Sequence, residues 1–454
     1  MNDTIAAIST AFGEAAIAVL RMSGARAVEI ADSVFRPKRR AAELPPRLAQ
    51  FGSIFDGEQR LDDVLLTVFR APASYTGEDV VEIGCHGGVL VSRRILEVLL
   101  RAGARSAEPG EFTQRAFLNR KLDLTQAEAV MDVISAQTDL ALRAANEQLE
   151  GRLGTRIREL RAAVLDTLAQ VEAYIDFPDE DISPETGTAL RGRIESALAD
   201  VAALLATAGQ GKVLREGLRT VIFGAPNVGK SSLLNRLLGY ERAIVSKIPG
   251  TTRDVLEETI NLRGIPVRLV DTAGIRDSAD ELERAGMERT RHALGHADLV
   301  LHIVDASSDA AVWKEKNSAE SEADALNREH RTELLVLNKA DLGIHASWES
   351  WGGVAVSALT GGGFEKLIGA IEHAAFGGAT KRDWSVSINA RHQSCLEKAR
   401  DFLRAALGAF DQSLSPEFIA EELRAAMDAI GDIVGRTNTE ELLGVIFGQF
   451  CIGK

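Results

Sequence analysis

The chain has 454 residues, 45% of them hydrophobic and 26% charged, and a formal net charge of −14. That length allows about three domains with ample core, and the composition is that of a globular protein. The acidic balance argues against a surface that clings as a whole to nucleic acid. Three cysteines, Cys85, Cys395 and Cys451, show neither paired count nor metal spacing, which suits a reduced compartment. No uninterrupted apolar run of about eighteen residues and no secretory leader is visible, so a cytoplasmic protein without membrane contact is expected.

In chain order, residues 16–21, 64–69 and 80–83 read as short strands separated by turn words such as Ser74-Tyr-Thr-Gly77 and the pair Gly87-Gly88. An α+β domain over residues 1–118 is expected. From Leu122 the pattern becomes helical: Leu149, Leu153, Ile157, Leu160, Val164, Leu168, Val171 and Ile175 recur at a period of about 3.67 residues, the spacing of a long helix with one straight apolar stripe. An acidic turn at Asp176-Phe-Pro-Asp-Glu-Asp181 ends it, and Leu190, Ile194, Leu198, Val201 and Leu205 begin a return helix. Arg152, Arg156, Arg158 and Arg161, like Arg36, Lys38, Arg39 and Arg40, read as solvated basic faces.

Strands then alternate with helices. The apolar run at 219–223 leads into Gly224-Ala-Pro-Asn-Val-Gly-Lys-Ser231, and further strand candidates precede Asp271-Thr-Ala-Gly274, Asn338-Lys-Ala-Asp341 and Ser357-Ala358. The first word is a phosphate-binding loop, whose N–H groups wrap phosphates while Lys230 reaches the β and γ oxygens and the Ser231 hydroxyl ligates Mg²⁺. Asn-Lys-x-Asp selects guanine, because Asp341 can accept both hydrogen bonds from the N1–H and exocyclic amine. Together they spell a GTPase on a parallel α/β sheet. The expected nucleotide contacts are Asn227, Val228, Gly229, Lys230, Ser231 and Ser232, then Asp271, Thr272, Ala273 and Gly274, then Asn338, Lys339, Ala340 and Asp341, and finally Ser357, Ala358 and Leu359.

In many GTPases a glutamine directly after Asp-x-x-Gly orients the attacking water; here that position is Ile275. An aliphatic side chain cannot do this. Asn227, inside the phosphate loop, could instead place its oxygen on a monovalent cation beside the phosphates. Helical spacing resumes in Leu396, Ala399, Leu403 and Ala406 and in Ile419, Leu423, Ala426 and Ile430. Helices on both sides of the α/β segment suggest one helical domain interrupted by the GTPase, an arrangement that closely placed domain termini make cheap. The expected boundaries are 119–213 for the first helical part, 214–378 for the GTPase and 379–454 for the second helical part.

The whole chain resembles the MnmE (TrmE) family of bacterial tRNA-modification GTPases. The resemblance rests on Leu20-Arg-Met-Ser-Gly24, Tyr75-Thr-Gly-Glu-Asp79, His86-Gly-Gly88, Pro109-Gly-Glu-Phe112, Arg115-Ala-Phe-Leu-Asn119, Lys121-Leu-Asp-Leu124, Asp176-Phe-Pro178, Gly250-Thr-Thr-Arg-Asp254 and Cys451-Ile-Gly-Lys454. Where the family usually has a Pro-Pro-Gly-like segment before Leu20, this chain has Thr10-Ala-Phe-Gly-Glu14.

The resemblance implies a multidomain α/β and α protein: an N-terminal α+β folate-binding and dimerisation domain, a discontinuous helical domain and an inserted Ras-like GTPase domain. It implies a homodimer that joins a flavin-dependent, FAD-carrying partner, MnmG, in a heterotetramer or larger complex. Together they add an aminomethyl or carboxymethylaminomethyl group to C5 of the wobble uridine in certain tRNAs. The one-carbon unit comes from a 5-formyl or 5,10-methylene tetrahydrofolate. Arg21, Glu82, Lys121 and Lys454 would bind the folate, and Cys451 is a candidate thiol near the one-carbon unit.

For hydrolysis the resemblance implies K⁺ held by Asn227, Ser246, Ile248 and Thr251, and Mg²⁺ held by Ser231 and Thr252. Ser246, Lys247, Ile248, Pro249, Gly250, Thr251 and Thr252 would form a nucleotide-sensing switch. Glu283 would organise the hydrolytic water, completing a catalytic set with Asn227 and Lys230. A ribosome-assembly GTPase and a non-catalytic GTP-gated scaffold are the alternatives. The former should carry a basic RNA-binding appendage, which the acidic balance disfavours.

Overall fold

Alternation of buried and more open residues along 17–22 and 81–86 marks these segments as strands of a sheet with one covered face. The computed structural model describes residues 3–37, 40–176, 184–240, 258–270, 293–311, 332–377, 386–435 and 440–454. Two compact units are present, one formed by residues 1–131, 149–170 and 423–454, the other by 132–148 and 171–422.

In the first unit the strands are β1 (Ile5–Ile8), β2 (Ile17–Ser23), β3 (Phe35–Pro37), β4 (Ala49–Asp56), β5 (Gln59–Phe69), β6 (Val80–His86) and β7 (Arg105–Ser106). They form a sheet of order β3-β4-β5-β6-β2-β1-β7, antiparallel except for the β1–β7 pair. Leu20, Met22, Val64, Leu66, Val81 and Ile83 point to one face and share a buried cluster with Ile30 and Val34 of the helix Ala27–Val34 and Ile95 and Leu99 of the helix Val89–Arg101. The opposite face carries Ile17, Phe51 and Leu65 exposed. The helix Glu440–Phe447 packs on Glu111–Leu118, with Leu443 and Phe447 clustered against Phe117 and Leu124.

The long apolar stripe expected from Leu149 onward forms the helix Arg152–Asp176, in which Leu153, Ile157, Leu160, Val164, Leu168 and Val171 are buried. Leu149 instead closes the preceding helix, Asp139–Leu149. Gly151, at φ +85°, breaks the path between them, a left-handed turn that apolar spacing does not register.

The second unit is built on β8 (Leu218–Phe223), β9 (Glu258–Leu262), β10 (Ile265–Val270), β11 (Leu299–Asp305), β12 (Thr332–Asn338) and β13 (Val354–Ala355), in the order β13-β12-β11-β8-β10-β9. All neighbours are parallel except the edge pair β9–β10. Leu233 and Leu237 of the helix Lys230–Tyr240 and Leu367 and Ile371 of the helix Phe364–Phe376 join the apolar sheet core.

In the same unit the helix Pro184–Leu205, before the sheet in sequence, packs along Ala390–Asp411, after it, and Arg191 is ion-paired with Asp411. The stretch Gly187–Glu216 is long and apolar enough, by length and composition alone, to compare with a membrane span. It nevertheless carries Arg191, Arg193, Glu195 and Asp200, while Ile194, Ala197, Val201 and Leu204 are buried within the protein.

Candidate GTP site and the N-terminal sheet face

In a parallel α/β sheet, ligands bind at the carboxyl ends of the strands, where helix N-termini and loops converge. The phosphate loop follows β8 there, and the helix behind it starts at Lys230. Asn227 and Gly229 both take left-handed backbone conformations, at φ +62° and +99°. A Cβ on Gly229 would overlap the amide nitrogen of Asn338, and one on Gly224 the carbonyl oxygen of Ile303. The tight loop therefore needs glycine at both positions. Lys230 folds back over it, its Nζ donating to the carbonyls of Gly224 at 2.8 Å and Ala225 at 2.9 Å. Burial holds the Lys230 ammonium below its ordinary value, because withdrawal from water disfavours the charged form.

Asn338 ends β12 and is buried. Its Nδ2 donates to the Val228 carbonyl at 2.8 Å, and its Oδ1 accepts from the Ala358 N–H at 3.0 Å. One carboxamide thus ties the phosphate loop to the loop after β13. Lys339 follows at φ +62° and donates to Asp305 Oδ2 at 2.6 Å. Burial pulls the Asp305 carboxyl upward, but the hydrogen bonds from Lys339 and Ser307 outweigh it and hold the group below its usual range. Sequence reading passed over Asp305; its signal is an acid closing the apolar strand β11. Ala340 is held by its N–H to the Val356 carbonyl at 3.0 Å, and Asp341 stands exposed on the short turn Ala340–Leu342.

Ser357 is buried and its Oγ accepts from the Thr360 N–H, while the Leu359 side chain is 80% exposed at the rim. Val228 is buried behind the loop, and Ser231 and Ser232 are exposed on the first turn of the helix. The structure thus brings together the phosphate loop, Asn338 to Asp341 and Ser357 to Leu359. Ser246, Lys247, Ile248, Pro249, Gly250, Thr251, Thr252, Asp271, Thr272, Ala273, Gly274 and Glu283 lie outside the described residues.

Comparison with known proteins agrees over the whole length. The family model for the MnmE helical domain matches residues 124–451, and that for the GTP-binding protein TrmE N-terminus matches residues 4–121. The tRNA modification GTPase MnmE of Akkermansia muciniphila is 50% identical over 454 residues, covering 99% of this chain and 99% of that protein. Proteins of the same name from Clostridioides difficile and Aquifex aeolicus are each 45% identical, with 100% of both chains covered. The chain belongs to the MnmE family of tRNA modification GTPases. It is a GTP-binding hydrolase.

In this MnmE-family chain the N-terminal residues singled out by resemblance converge on the open face of the sheet. Arg21 of β2 and Glu82 of β6 are direct cross-strand partners. Arg21 Nε and Nη2 both donate to Glu82 Oε1, at 2.9 and 2.7 Å. The guanidinium carbon lies 5.3 Å from the centroid of the Tyr75 ring and 5.8 Å from that of Phe112, within the range of cation–π attraction. The Phe112 N–H donates to the Lys454 carbonyl at 3.2 Å, which ties the Cys451–Lys454 segment to the same place. Cys451 is exposed there, whereas Cys85 is buried in the sheet, its thiol pushed up to about 11 by burial. Lys121 donates to the Pro72 carbonyl at 3.0 Å, on the loop that presents Tyr75.

Other motif residues hold this loop in place. Arg115, 1% exposed, bonds Asp3, Glu78 and Glu111, and Asn119 Nδ2 donates to the Thr76 carbonyl at 2.7 Å. Asp79 receives the Arg70 guanidinium and the Ala71 N–H. Tyr75 and Phe112 belong to the motifs that carry the resemblance, which by themselves imply no role for them in the site. Their placement follows from register and loop closure, which no single motif contains.

Proposed function

We propose that this chain couples K⁺-stimulated GTP hydrolysis to modification of C5 of the wobble uridine in certain tRNAs. It does so as a homodimer working with a flavin-dependent MnmG-type partner that carries FAD, and the one-carbon unit comes from a tetrahydrofolate. The observation that carries the folate part is the Arg21–Glu82 pair lying beside Tyr75 and Phe112, with the backbone of Lys454 fastened to Phe112. A carboxylate suits the amino and N–H edge of a pterin, aromatic rings suit its faces, and cations suit a glutamyl tail. Lys121 and the Lys454 side chain supply such cations, and exposed Cys451 is a thiol within the same segment. The homodimer reading draws on the exposed apolar row Ile17, Leu65 and Phe51 on the face that bears Arg21.

The donor set at the GTPase loop fits a nucleotide and its cations. Lys230 is partly withdrawn from water and, among the described residues, donates to two carbonyls, so a polyphosphate would satisfy it. Ser231 supplies a hydroxyl for Mg²⁺, with Thr252 as its proposed second ligand. Asn227 presents an exposed side chain on the outer turn of the loop, suited to K⁺ together with Ser246, Ile248 and Thr251. Bound cations there supply fixed positive charge where negative charge develops on the phosphates. Within this reading Asp341 reads the base, Asn338 holds the two loops, Lys230 orients the β and γ phosphates and Glu283 organises the attacking water. A cytoplasmic address follows from the substrate.

The test is mass spectrometry of wobble nucleosides from cells lacking this chain, complemented with the wild type or with Lys230→Ala. Loss of the C5 modification, restored only by the wild type, is expected. An unchanged nucleoside profile would sink the assignment.

A further inference from the structure

Arg236 lies on the middle turn of the helix Lys230–Tyr240, six residues after Lys230, and its side chain meets the loop that follows β13. Its Nη1 donates to the Leu359 carbonyl at 3.3 Å, and its guanidinium carbon lies 5.6 Å from the centroid of the Phe364 ring. Gly361, at φ +88°, makes room for it: a Cβ there would overlap the guanidinium. The residues between are wound into a tight turn, with the Gly361 N–H donating to the Ser357 carbonyl and the Ser357 N–H to the Gly362 carbonyl, both at 2.8 Å. Within this turn the Ala358 N–H is already engaged by Asn338 at 3.0 Å. The next N–H, that of Leu359, has no acceptor among the described residues, and it belongs to the residue whose carbonyl Arg236 holds.

We infer that Arg236 is a positioning residue for base recognition: by holding the Leu359 carbonyl it aims the Leu359 N–H at the O6 acceptor of guanine. The physical reason is geometric. A loop anchored at Ala358 by Asn338 can still pivot about the following bonds, and a second anchor on the Leu359 carbonyl removes that freedom. An acceptor-seeking N–H fixed there favours a purine with a carbonyl at this edge and opposes one with an amine, since two donors would face each other. The helix that begins at Lys230 thereby reaches the base as well as the phosphates. This inference rests on Asp341 reading the N1–H and exocyclic amine that adjoin O6 on the base.

The experiment compares equilibrium binding, to the full chain, of GDP and of 2-aminopurine riboside diphosphate, which keeps the exocyclic amine but lacks O6 and with it the N1–H. The second loss weakens the analogue equally in wild type and Arg236 variants, so the change on substitution reads O6 alone. Arg236→Ala is expected to weaken GDP about tenfold and the analogue by less than about twofold, and Arg236→Lys to restore most of the GDP loss. Arg236→Met, which keeps an apolar stem against Phe364 but removes the donor, should behave as Arg236→Ala does and guards against a folding defect. Equal weakening of both ligands, or of neither, would overturn the inference. Asp341→Asn, tested alongside, should shift preference from GDP to xanthosine diphosphate. If it does not, the base-site reading fails and this inference with it; if it does and the Arg236 variants bind both ligands alike, only the role of Arg236 falls.

Discussion

Asn338, at the carboxyl end of β12, reaches past β11 to Val228 in the loop after β8, its Nδ2 donating to the Val228 carbonyl at 2.8 Å from a residue only 2% exposed. The same carboxamide accepts from Ala358, so one residue fixes the distance between phosphate loop and base loop. Asn338→Ala leaves a buried carbonyl and a buried N–H without partners, at about 1–3 kcal/mol each. GTP and GDP affinity should therefore both fall by at least about tenfold in calorimetric titration. Retention within about twofold would show that the two loops hold each other without this bridge.

Lys230 concerns ligand-linked stability. Its ammonium is partly desolvated and meets no carboxylate among the described residues, so the protein without nucleotide gains little from it. For Lys230→Ala the melting temperature without nucleotide should match or exceed that of the wild type. The stabilisation given by saturating GTP, about 2.7 kcal/mol at a hundredfold excess over Kd, should largely disappear. A full nucleotide-induced shift in the variant would remove Lys230 from phosphate binding.

Asn227 sits at φ +62° on the outside of the loop and is exposed. Replacing Na⁺ by K⁺ at constant ionic strength should raise steady-state GTP turnover several-fold in the wild type and leave Asn227→Ala unchanged. Asparagine tolerates the left-handed backbone better than alanine does, so Asn227→Asp serves as a control that keeps this tolerance. Equal wild-type rates in both salts would end the K⁺ assignment.

Arg21 donates twice to Glu82 and faces two aromatic rings. Arg21→Ala should weaken binding of 5-formyltetrahydrofolate at least about tenfold in calorimetry, while GTP turnover stays within twofold. Unchanged folate binding would take Arg21 out of the pocket.

Acid should destabilise the first unit through Glu111. Burial raises its carboxyl, but hydrogen bonds from Arg105, from the Glu108 N–H and from Arg115 prevail and lower it below 4.5. The unfolded chain therefore binds the proton first. The contribution is complete above the unfolded value and is lost as pH falls through the folded one. Melting temperature should drop as pH falls below the ordinary glutamate range, about 4.3, and Glu111→Gln should flatten that drop. An equal slope in wild type and variant would locate the acid sensitivity elsewhere.

Much of the GTPase was legible because each motif is local: a phosphate loop needs its glycines, lysine and serine within one turn, and guanine selection needs Asp341 just after a strand. The strand alternation of the central module and the pairing of helices from both sides of it followed from apolar spacing in the same way. The long helix was misjudged at Leu149 because spacing cannot see the left-handed turn at Gly151.

The sequence by itself determined the chemistry of this protein: the phosphate loop, the guanine word, the isoleucine at position 275 and the family motifs around them. Tertiary structure decided which of those residues meet. Register set Arg21 against Glu82, and the packing of a helix on a loop set Arg236 against Leu359, 123 positions away. Motif words such as Glu78 and Arg115 became ion pairs inside the unit, joined to Asp3 from 112 positions upstream of Arg115. Side-chain chemistry is carried by residues near one another in the chain, whereas a contact across a sheet or between loops exists only once the intervening chain has folded.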